Sequence, residues 1–320
     1  MSFAQPRIVI SKCLEFESCR YNGDIIPNKF IRILMDWVEF MPVCPEVEVG
    51  LGIPREPIRL VGKKEDHRLI QPATDRDLTA DMIQFSETYL NGLPSVEGFI
   101  LKSRSPSCGV HSPKGFPYKG KVAPSFHTSG LFTQTIEKLY PDYPTEEEVR
   151  FTDQGLREHF LTAIFTLAQF RQVSKTGEIS ALVKFQSRTK LLLMAYNQTL
   201  MRRLGNIVAN HQQLAFAEVC SAYAPLLRKV FQRRPRYVSN INVQMHALGY
   251  FSDQLKAEEK AYFLDLLEEY RNARIPLAVL NGVMRSWVVR FENEYLQQQV
   301  YFNPFPEDLV ISDLKGLKRK

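Results

Sequence analysis

Four of the five cysteines lie within the first 108 residues, and a thiol can act as a metal ligand or as a nucleophile. They stand at Cys13, Cys19, Cys44 and Cys108. A structural zinc site usually has cysteine pairs two to four residues apart, and the sequence contains no such pair. An iron–sulfur cluster prefers thiolates and accepts ligands that are far apart in the sequence. The spacing therefore favours a cluster, and it leaves open a zinc site, a catalytic thiol or buried cysteines without chemistry.

Acidic and hydroxyl side chains stand next to two of these thiols. Glu46 follows Cys44 by two residues, so its carboxylate would lie close to a bound metal, where a general base is useful. Ser105 and Ser107 stand within three residues of Cys108. A solvated loop acid and turn-capping hydroxyls would explain the same residues without catalysis. Beside the thiols, they favour a site where a reaction takes place.

Three short apolar segments end shortly before three of the cysteines, Cys13, Cys44 and Cys108. The segments are Arg7–Ser11, a strand that ends at Val43, and Gly98–Leu101. Helical patterns separate them, and this alternation predicts an α/β domain with an open, mostly parallel, Rossmann-like sheet. Since the carboxyl ends of parallel strands meet at one edge, we expect the three thiols to line one crevice.

Capping and turn residues predict the other elements of the first half. We expect helices at Asn28–Phe40, Leu78–Leu90 and Thr128–Tyr140, and paired strands at Ile58–Val61 and Arg68–Gln71.

From Gly155 onward, helical periodicity dominates and strand patterns disappear. The change falls near residues 141–154. We therefore expect an α/β domain at 1–145 and an all-α domain at 151–320.

Basic residues are concentrated in the second half. Residues 1–150 hold 18 Lys and Arg against 20 Asp and Glu, whereas residues 151–320 hold 23 against 15. This excess is typical of a surface that binds a polyanion, although a basic helical surface need not bind anything. The candidate phosphate contacts are Arg202, Arg203, Arg233, Arg234 and Arg236. The candidate base-stacking residues are Tyr196, Tyr223 and Tyr237, although aromatic residues at helical spacing more often belong to a core.

No apolar run approaches the roughly 18–20 residues that span a bilayer. The first residues also lack a basic-then-apolar signal segment. We therefore expect a cytoplasmic protein with no membrane partner, in which the cysteines are free, metal-bound or catalytic.

The motifs around the cysteines resemble a known family. They are Ser11-Lys12-Cys13, Cys19-Arg20-Tyr21-Asn22-Gly23, Cys44-Pro45-Glu46 and Ser105-Pro106-Ser107-Cys108-Gly109. They resemble the thiouracil desulfurase (TudS-type) domain over residues 5–145. The remainder is similar to the helical YbgA-like domain through its general pattern, including Tyr237-Val238-Ser239-Asn240. This domain order is similar to that of the tRNA 4-thiouridine desulfidases.

The resemblance implies a [4Fe-4S] cluster held by Cys13, Cys44 and Cys108, with one iron open to the sulfur of a thiocarbonyl. Glu46 would help water attack the ring carbon, and Ser105 would orient or shuttle a proton. The implied reaction converts 4-thiouridine in tRNA to uridine with release of sulfide. Thiolated tRNA would then be the partner of the basic second domain.

Two alternatives stay open. One is desulfuration of free thiouracil or thionucleosides, and the other is a non-catalytic, cluster-bearing protein that binds RNA or senses redox state. The role of Cys19 is also open, because it lies outside the implied ligand set. It would be a thiol near the site or a ligand of the fourth iron in a resting state.

Overall fold

The structure is a computed structural model that describes residues 3–118, 123–210 and 212–311. The chain divides into two compact units. The first unit contains the residues up to Ala168 and those from Asp308 onward, and the second unit spans Gln169–Glu307. The predicted domain ranges, 1–145 and 151–320, stay predictions.

All strands among the described residues belong to the first unit. They are β1 (Arg7–Ser11), β2 (Glu39–Val43), β3 (Arg59–Lys63), β4 (Asp66–Gln71), β5 (Arg76–Asp77), β6 (Gly98–Leu101), β7 (Lys114–Phe116), β8 (Phe126–His127) and β9 (Thr145–Glu147). Four of them form a parallel sheet in the order β2-β1-β6-β9. Ser11 lies opposite Val43, and Ile10 lies opposite both Pro42 and Ile100. The strands β1, β2 and β6 therefore end at the same edge of this sheet, and the predicted parallel α/β sheet is confirmed.

A second sheet has the order β5-β4-β3-β7-β8. Its strands β3 and β4 form an antiparallel pair, which confirms the predicted pairing of Ile58–Val61 with Arg68–Gln71. The strand β7 joins β3 in parallel, and nothing in the short segment Lys114–Phe116 predicted this. Leu60 and Leu69 lie opposite each other and are fully buried, so the hairpin contributes to the core of the first unit.

The first unit contains α1 (Lys29–Leu34), α2 (Pro45–Glu48), α3 (Thr79–Asn91), α4 (Leu131–Leu139), most of α5 (Gln154–Ser174), and α12 (Asp308–Ile311). The predicted cap of α1 is present, because Asn28 Oδ1 accepts from the N–H groups of Phe30 at 3.1 Å and Ile31 at 3.2 Å. The predicted extension of this helix to Phe40 is wrong. Helix α1 ends at Leu34, since Glu39–Val43 pairs along its whole length with β1 and is therefore extended.

The second unit is all-α, as expected. Its helices are α6 (Ile179–Ala209), α7 (Phe216–Val230), α8 (Tyr237–Gly249), α9 (Ala257–Arg271), α10 (Leu277–Arg290) and α11 (Glu294–Gln297). Helix α6 is interrupted at Asn197, which has extended backbone angles. The amide of Gln186 donates to the carbonyl of Met201 at 3.3 Å, although a straight helix would separate these residues by about 22 Å. Helix α6 therefore folds back on itself as two arms.

The core of the second unit is aromatic. Tyr223 is fully buried and stacks on Phe170 with ring centroids 5.2 Å apart. Phe263 packs against Trp287 at 5.1 Å. Within the described ranges, no helix has both the length and the apolar character needed to cross a lipid bilayer.

Candidate active site

A cavity of about 360 Å³ opens where β1, β2 and β6 end. The predicted site residues that line it are Cys13, Cys44, Cys108, Glu46 and Ser105. Cys19 and Arg55 line it as well. The structure thus brings residues from three strand ends to one crevice, although Cys13 and Cys108 are 95 positions apart along the chain.

The four thiols on this cavity are buried. Their residues are 0–8% exposed, and Cys19 is the one with no exposed surface. Cys19 lies within hydrogen-bonding distance of the thiols of Cys13 and Cys44. The thiol of Cys44 also points to the carbonyl oxygen of Cys19 at 3.8 Å. Cys19 is therefore part of the thiol group, which its position six residues after Cys13 left undecided.

These contacts and burial raise the pKa of three thiols. Hydrogen bonding to Cys13 raises the pKa of Cys19 to about 11. The contact with Cys19, followed by burial, raises the pKa of Cys44. Burial raises the pKa of Cys108. At neutral pH these thiols are protonated in the metal-free protein, and a metal must displace their protons in order to bind.

The carboxylate of Glu46, in the first turn of α2, has different partners on its two oxygens. Oε2 accepts from Nε and Nη2 of Arg55 at 3.0 and 2.7 Å. Oε1 accepts from the hydroxyls of Ser105 at 3.2 Å and Ser107 at 2.9 Å. The side chains of Glu46 and Arg55 are only 13% and 5% exposed, so salt screens this ion pair weakly.

The hydroxyl of Ser105 has a defined orientation. It accepts from the backbone N–H groups of Ser107 and Cys108, both at 3.2 Å. Because these bonds occupy its lone pairs, its proton is directed to Glu46. Ser105 lines the cavity, whereas Ser107 is fully buried. Ser105 is therefore the hydroxyl that stands between the carboxylate and the cavity.

The loop that carries Ser105 and Cys108 is held against the start of α4. The N–H of Phe132 donates to the carbonyl of Ser107 at 3.0 Å. A Cβ at Gly130 would lie 2.4 Å from the carbonyl carbon and oxygen of Ser107. Only glycine permits this close approach of two backbones, so Gly130 sets the position of the loop.

Three charged residues of this region were missed by the sequence interpretation. Arg55 holds Glu46 and also donates to the carbonyl of Cys19 at 3.0 Å. Lys102 lines the cavity and pairs with the buried carboxylate of Glu148 at 2.6 Å. A lone arginine between Pro54 and Pro57, or a lysine directly after a strand, carries no spacing signal by itself.

Soft thiols around a cavity match the donor chemistry of an iron–sulfur cluster, whose irons bind cysteine thiolates. Cys13, Cys44 and Cys108 fit that role by donor type and by their shared cavity. In the part of the chain that the structure describes, no group of three or more Cys, His, Asp or Glu side chains has an arrangement that could hold a metal ion.

The predicted RNA contacts lie in the second unit. Arg202 and Arg203 are exposed on the second arm of α6. Exposed side chains between α7 and α8 belong to Arg233, Arg234 and Arg236. Of the candidate stacking residues, Tyr237 is 53% exposed, whereas Tyr223 lies in the core and offers no ring face to a base. RNA binding by these residues stays a prediction.

Comparison with known proteins identifies both halves of the chain. Residues 8–148 match the 2-thiouracil desulfurase family, and residues 190–306 match a protein family of unknown function, DUF1722. The uncharacterized protein YbbK of Bacillus subtilis is 33% identical over 141 residues, which are 40% of this chain and 89% of YbbK. The uncharacterized protein YbgA of Escherichia coli is 26% identical over 155 residues, which are 48% of this chain and 92% of YbgA.

Among solved structures, a [4Fe-4S]-dependent thiouracil desulfidase, TudS, is 22% identical, with a TM-score of 0.38. The match covers 48% of this chain and 98% of TudS. The family match and the identity to YbbK show that this chain belongs to the 2-thiouracil desulfurase family. The sequence-based recognition of this domain, followed by a YbgA-like domain, is confirmed.

Proposed function

We propose that this protein is an iron–sulfur-dependent desulfidase that converts 4-thiouridine in tRNA to uridine and releases sulfide. The observation that carries the proposal is that Glu46 and Ser105 share one cavity with four buried thiols. Membership of the 2-thiouracil desulfurase family supports the reaction class. The basic second half supports a polyanionic substrate. The proposal places the protein in the cytoplasm with thiolated tRNA as its partner.

Cys13, Cys44 and Cys108 would hold a [4Fe-4S] cluster, which when bound supplies a soft Lewis acid for a thiocarbonyl sulfur. Glu46 Oε1 is the carboxylate oxygen that contacts Ser105, whereas Oε2 is occupied by Arg55. It accepts the proton of a water molecule that attacks the ring carbon. Ser105 passes a proton between Glu46 and the leaving sulfur. In balance, the carbon exchanges its sulfur for the oxygen of water, and hydrogen sulfide leaves without a redox change.

A thiouridine within tRNA must leave its stack to reach a cavity of this kind. The exposed arginines of the second unit would hold the neighbouring phosphates by charge-assisted hydrogen bonds. The arginines proposed for this role, among the exposed ones of the unit, are Arg202, Arg203, Arg233, Arg234 and Arg236. Binding of tRNA would then weaken steeply as the salt concentration rises.

A second candidate is desulfuration of free thiouracil or a thionucleoside. Two observations favour it: the family is described as 2-thiouracil desulfurase, and the cavity lies at the lower end of the size range for small-molecule sites. In this case the second unit would serve another purpose. A non-catalytic, cluster-bearing RNA-binding or redox-sensing protein is the remaining alternative.

The test begins with anaerobic purification and determination of iron and acid-labile sulfide. We expect about four irons and four sulfides for each chain, and loss of both in Cys108→Ala. The matched control is Cys220→Ala, because Cys220 lies half-buried in α7 of the second unit. Equal iron in the two variants would contradict the assignment of Cys108 as a ligand.

Sulfide release is then measured with 4-thiouridine-containing tRNA and with three free compounds, 4-thiouridine, 4-thiouracil and 2-thiouracil. We expect tRNA to have the highest kcat/KM of the four. Turnover of the free compounds alone would replace the proposal with the second candidate. An intact cluster with no sulfide release from any substrate would favour the non-catalytic alternative.

A further inference from the structure

Arg55 is the cation in closest contact with the proposed general base. Its guanidinium directs two N–H groups to a single oxygen, Oε2 of Glu46, at 3.0 and 2.7 Å. Arg55 also donates to the carbonyl oxygens of Cys19 at 3.0 Å and Gly52 at 3.3 Å. One buried side chain therefore ties together α2, the loop of Cys19 and the segment that contains Arg55 itself.

As a result, the two oxygens of Glu46 have hydrogen-bond donors of different strength. Two charge-assisted bonds hold Oε2 to the guanidinium of Arg55. Oε1 receives only neutral hydroxyl donors, from Ser105 and Ser107. Neutral donors are weaker and easier to exchange for a water molecule than a guanidinium. Oε1 is therefore the oxygen whose partners a water molecule can replace, and the hold of Arg55 on Oε2 fixes which oxygen this is.

We propose that Arg55 is a positioning residue for the desulfidase reaction, which acts by fixing the Glu46 carboxylate with Oε1 toward Ser105. The inference rests on the proposed function. It concerns turnover rather than binding, because the partners of Arg55 are the proposed base and two backbone carbonyls near the cavity.

The experiment compares kcat and KM of Arg55→Ala, Arg55→Lys, Glu46→Gln and the double variant Arg55→Ala/Glu46→Gln. We expect Arg55→Ala to lower kcat by about 10²-fold with little change in KM, because a carboxylate displaced by about 1 Å loses that much. Arg55→Lys keeps the positive charge but not the planar pair of N–H donors, so we expect its kcat to lie between those of Arg55→Ala and the wild type. In the Glu46→Gln background, loss of Arg55 should cost nothing further, since its effect passes through Glu46.

Added guanidinium ion separates positioning from general support of the fold. It should fill the space left by Arg55→Ala and raise kcat at least several-fold, and it should not raise kcat of Glu46→Gln. Iron content and the melting temperature are measured for each variant. The matched control is Arg68→Gln, because Arg68 is 72% exposed in a surface ion pair of the same unit.

Unchanged kcat in Arg55→Ala would overturn the inference, and so would losses that multiply in the double variant. A loss of activity that follows falling iron content and is not restored by guanidinium would assign Arg55 a purely structural role, and this also overturns it. Wild-type protein that holds its cluster but releases no sulfide contradicts the proposed function and, with it, this role of Arg55. An active wild type with an unaffected Arg55→Ala contradicts the inference alone.

Discussion

The two units differ in the kind of polar side chain that they bury. In the first unit, charged residues are buried next to or near the cavity, with Glu148 only 4% exposed beside Lys102. In the second unit, the buried polar residues among those described are neutral: Thr189, Asn240, Gln244 and Gln299. Burying a charge is costly unless it is paired and hydrogen-bonded. The first unit therefore bears a desolvation cost, in free energy of folding, that the helical second unit avoids.

The cations follow the opposite pattern. In the second unit, Arg202, Arg203 and Arg233 are exposed to solvent, so contact with an anionic partner would not require desolvation of a buried site. In the first unit, Arg55 and Lys102 point inward and each is matched by a carboxylate. The difference agrees with the proposal that the reaction takes place in the first unit and that the second unit attracts a polyanion.

The largest effect is expected at the base. Glu46→Gln keeps the size of the side chain but removes its ability to take a proton, so kcat should fall by about 10²–10⁴-fold. Iron content and tRNA affinity should stay as in the wild type. The matched control is Glu48→Gln, because Glu48 lies two residues further along the same short helix and is exposed. If Glu46→Gln and Glu48→Gln lower kcat equally, the loss does not come from a general base in the cavity.

Charge reversal in the second unit should affect only the RNA substrate. We expect Arg233→Glu/Arg234→Glu/Arg236→Glu to lower kcat/KM for tRNA by about tenfold or more, since phosphate contacts supply much of the affinity. Turnover of free 4-thiouracil should not change. The salt dependence of tRNA binding should also become shallower. Steady-state kinetics with both substrates at several salt concentrations make the comparison, with Arg274→Glu, on an exposed residue elsewhere in the unit, as the control.

A methyl group at the support of the active-site loop should disturb the first unit alone. Gly130→Ala forces a Cβ against the carbonyl of Ser107, and overpacking of this kind costs about 1–3 kcal/mol. We expect a lower melting temperature and a weaker hold on iron. In the second unit, Gly249→Ala meets nothing within 4 Å and serves as the control. If both variants melt alike, Gly130 does not set the position of the loop.

The smallest effect concerns pH and the metal-free protein. The pKa of Cys19 is raised in the folded state to about 11, above its ordinary value of 9.0, so folding holds a proton that the unfolded chain releases. The resulting stability is present below pH 9 and is lost as the pH rises through about 11. Denaturant unfolding of metal-free protein at pH 8 and pH 10.5 measures this loss. Cys19→Ser should show a smaller loss, and an equal loss in both proteins would exclude Cys19 as its source.

Metal binding should respond to pH in the opposite direction. Because binding replaces thiol protons, iron uptake by the metal-free protein should increase as the pH rises from 7 toward 9.

Much of this protein followed from local patterns in its sequence. Arg7–Ser11 and Gly98–Leu101 are apolar on both faces, which is typical of buried parallel strands, and both are strands of the first sheet. The alternation of strands and helices predicted that their ends share an edge, and the register confirms it. The motifs around Cys13 and Cys108 are specific enough to identify the family from the order of residues alone.

Tertiary structure alone decided the rest. Glu39–Val43 looks like the end of a helix until β1 offers it a full set of backbone partners. No sequence pattern indicates Arg55, because its role depends on an ion pair with Glu46, nine residues earlier in the chain, and only the folded chain brings the two side chains together. The position of Cys19 between Cys13 and Cys44 likewise depends on where two loops end. Sequence determines which chemical groups are present and which elements carry them, whereas distances and burial arise only when separate segments pack together.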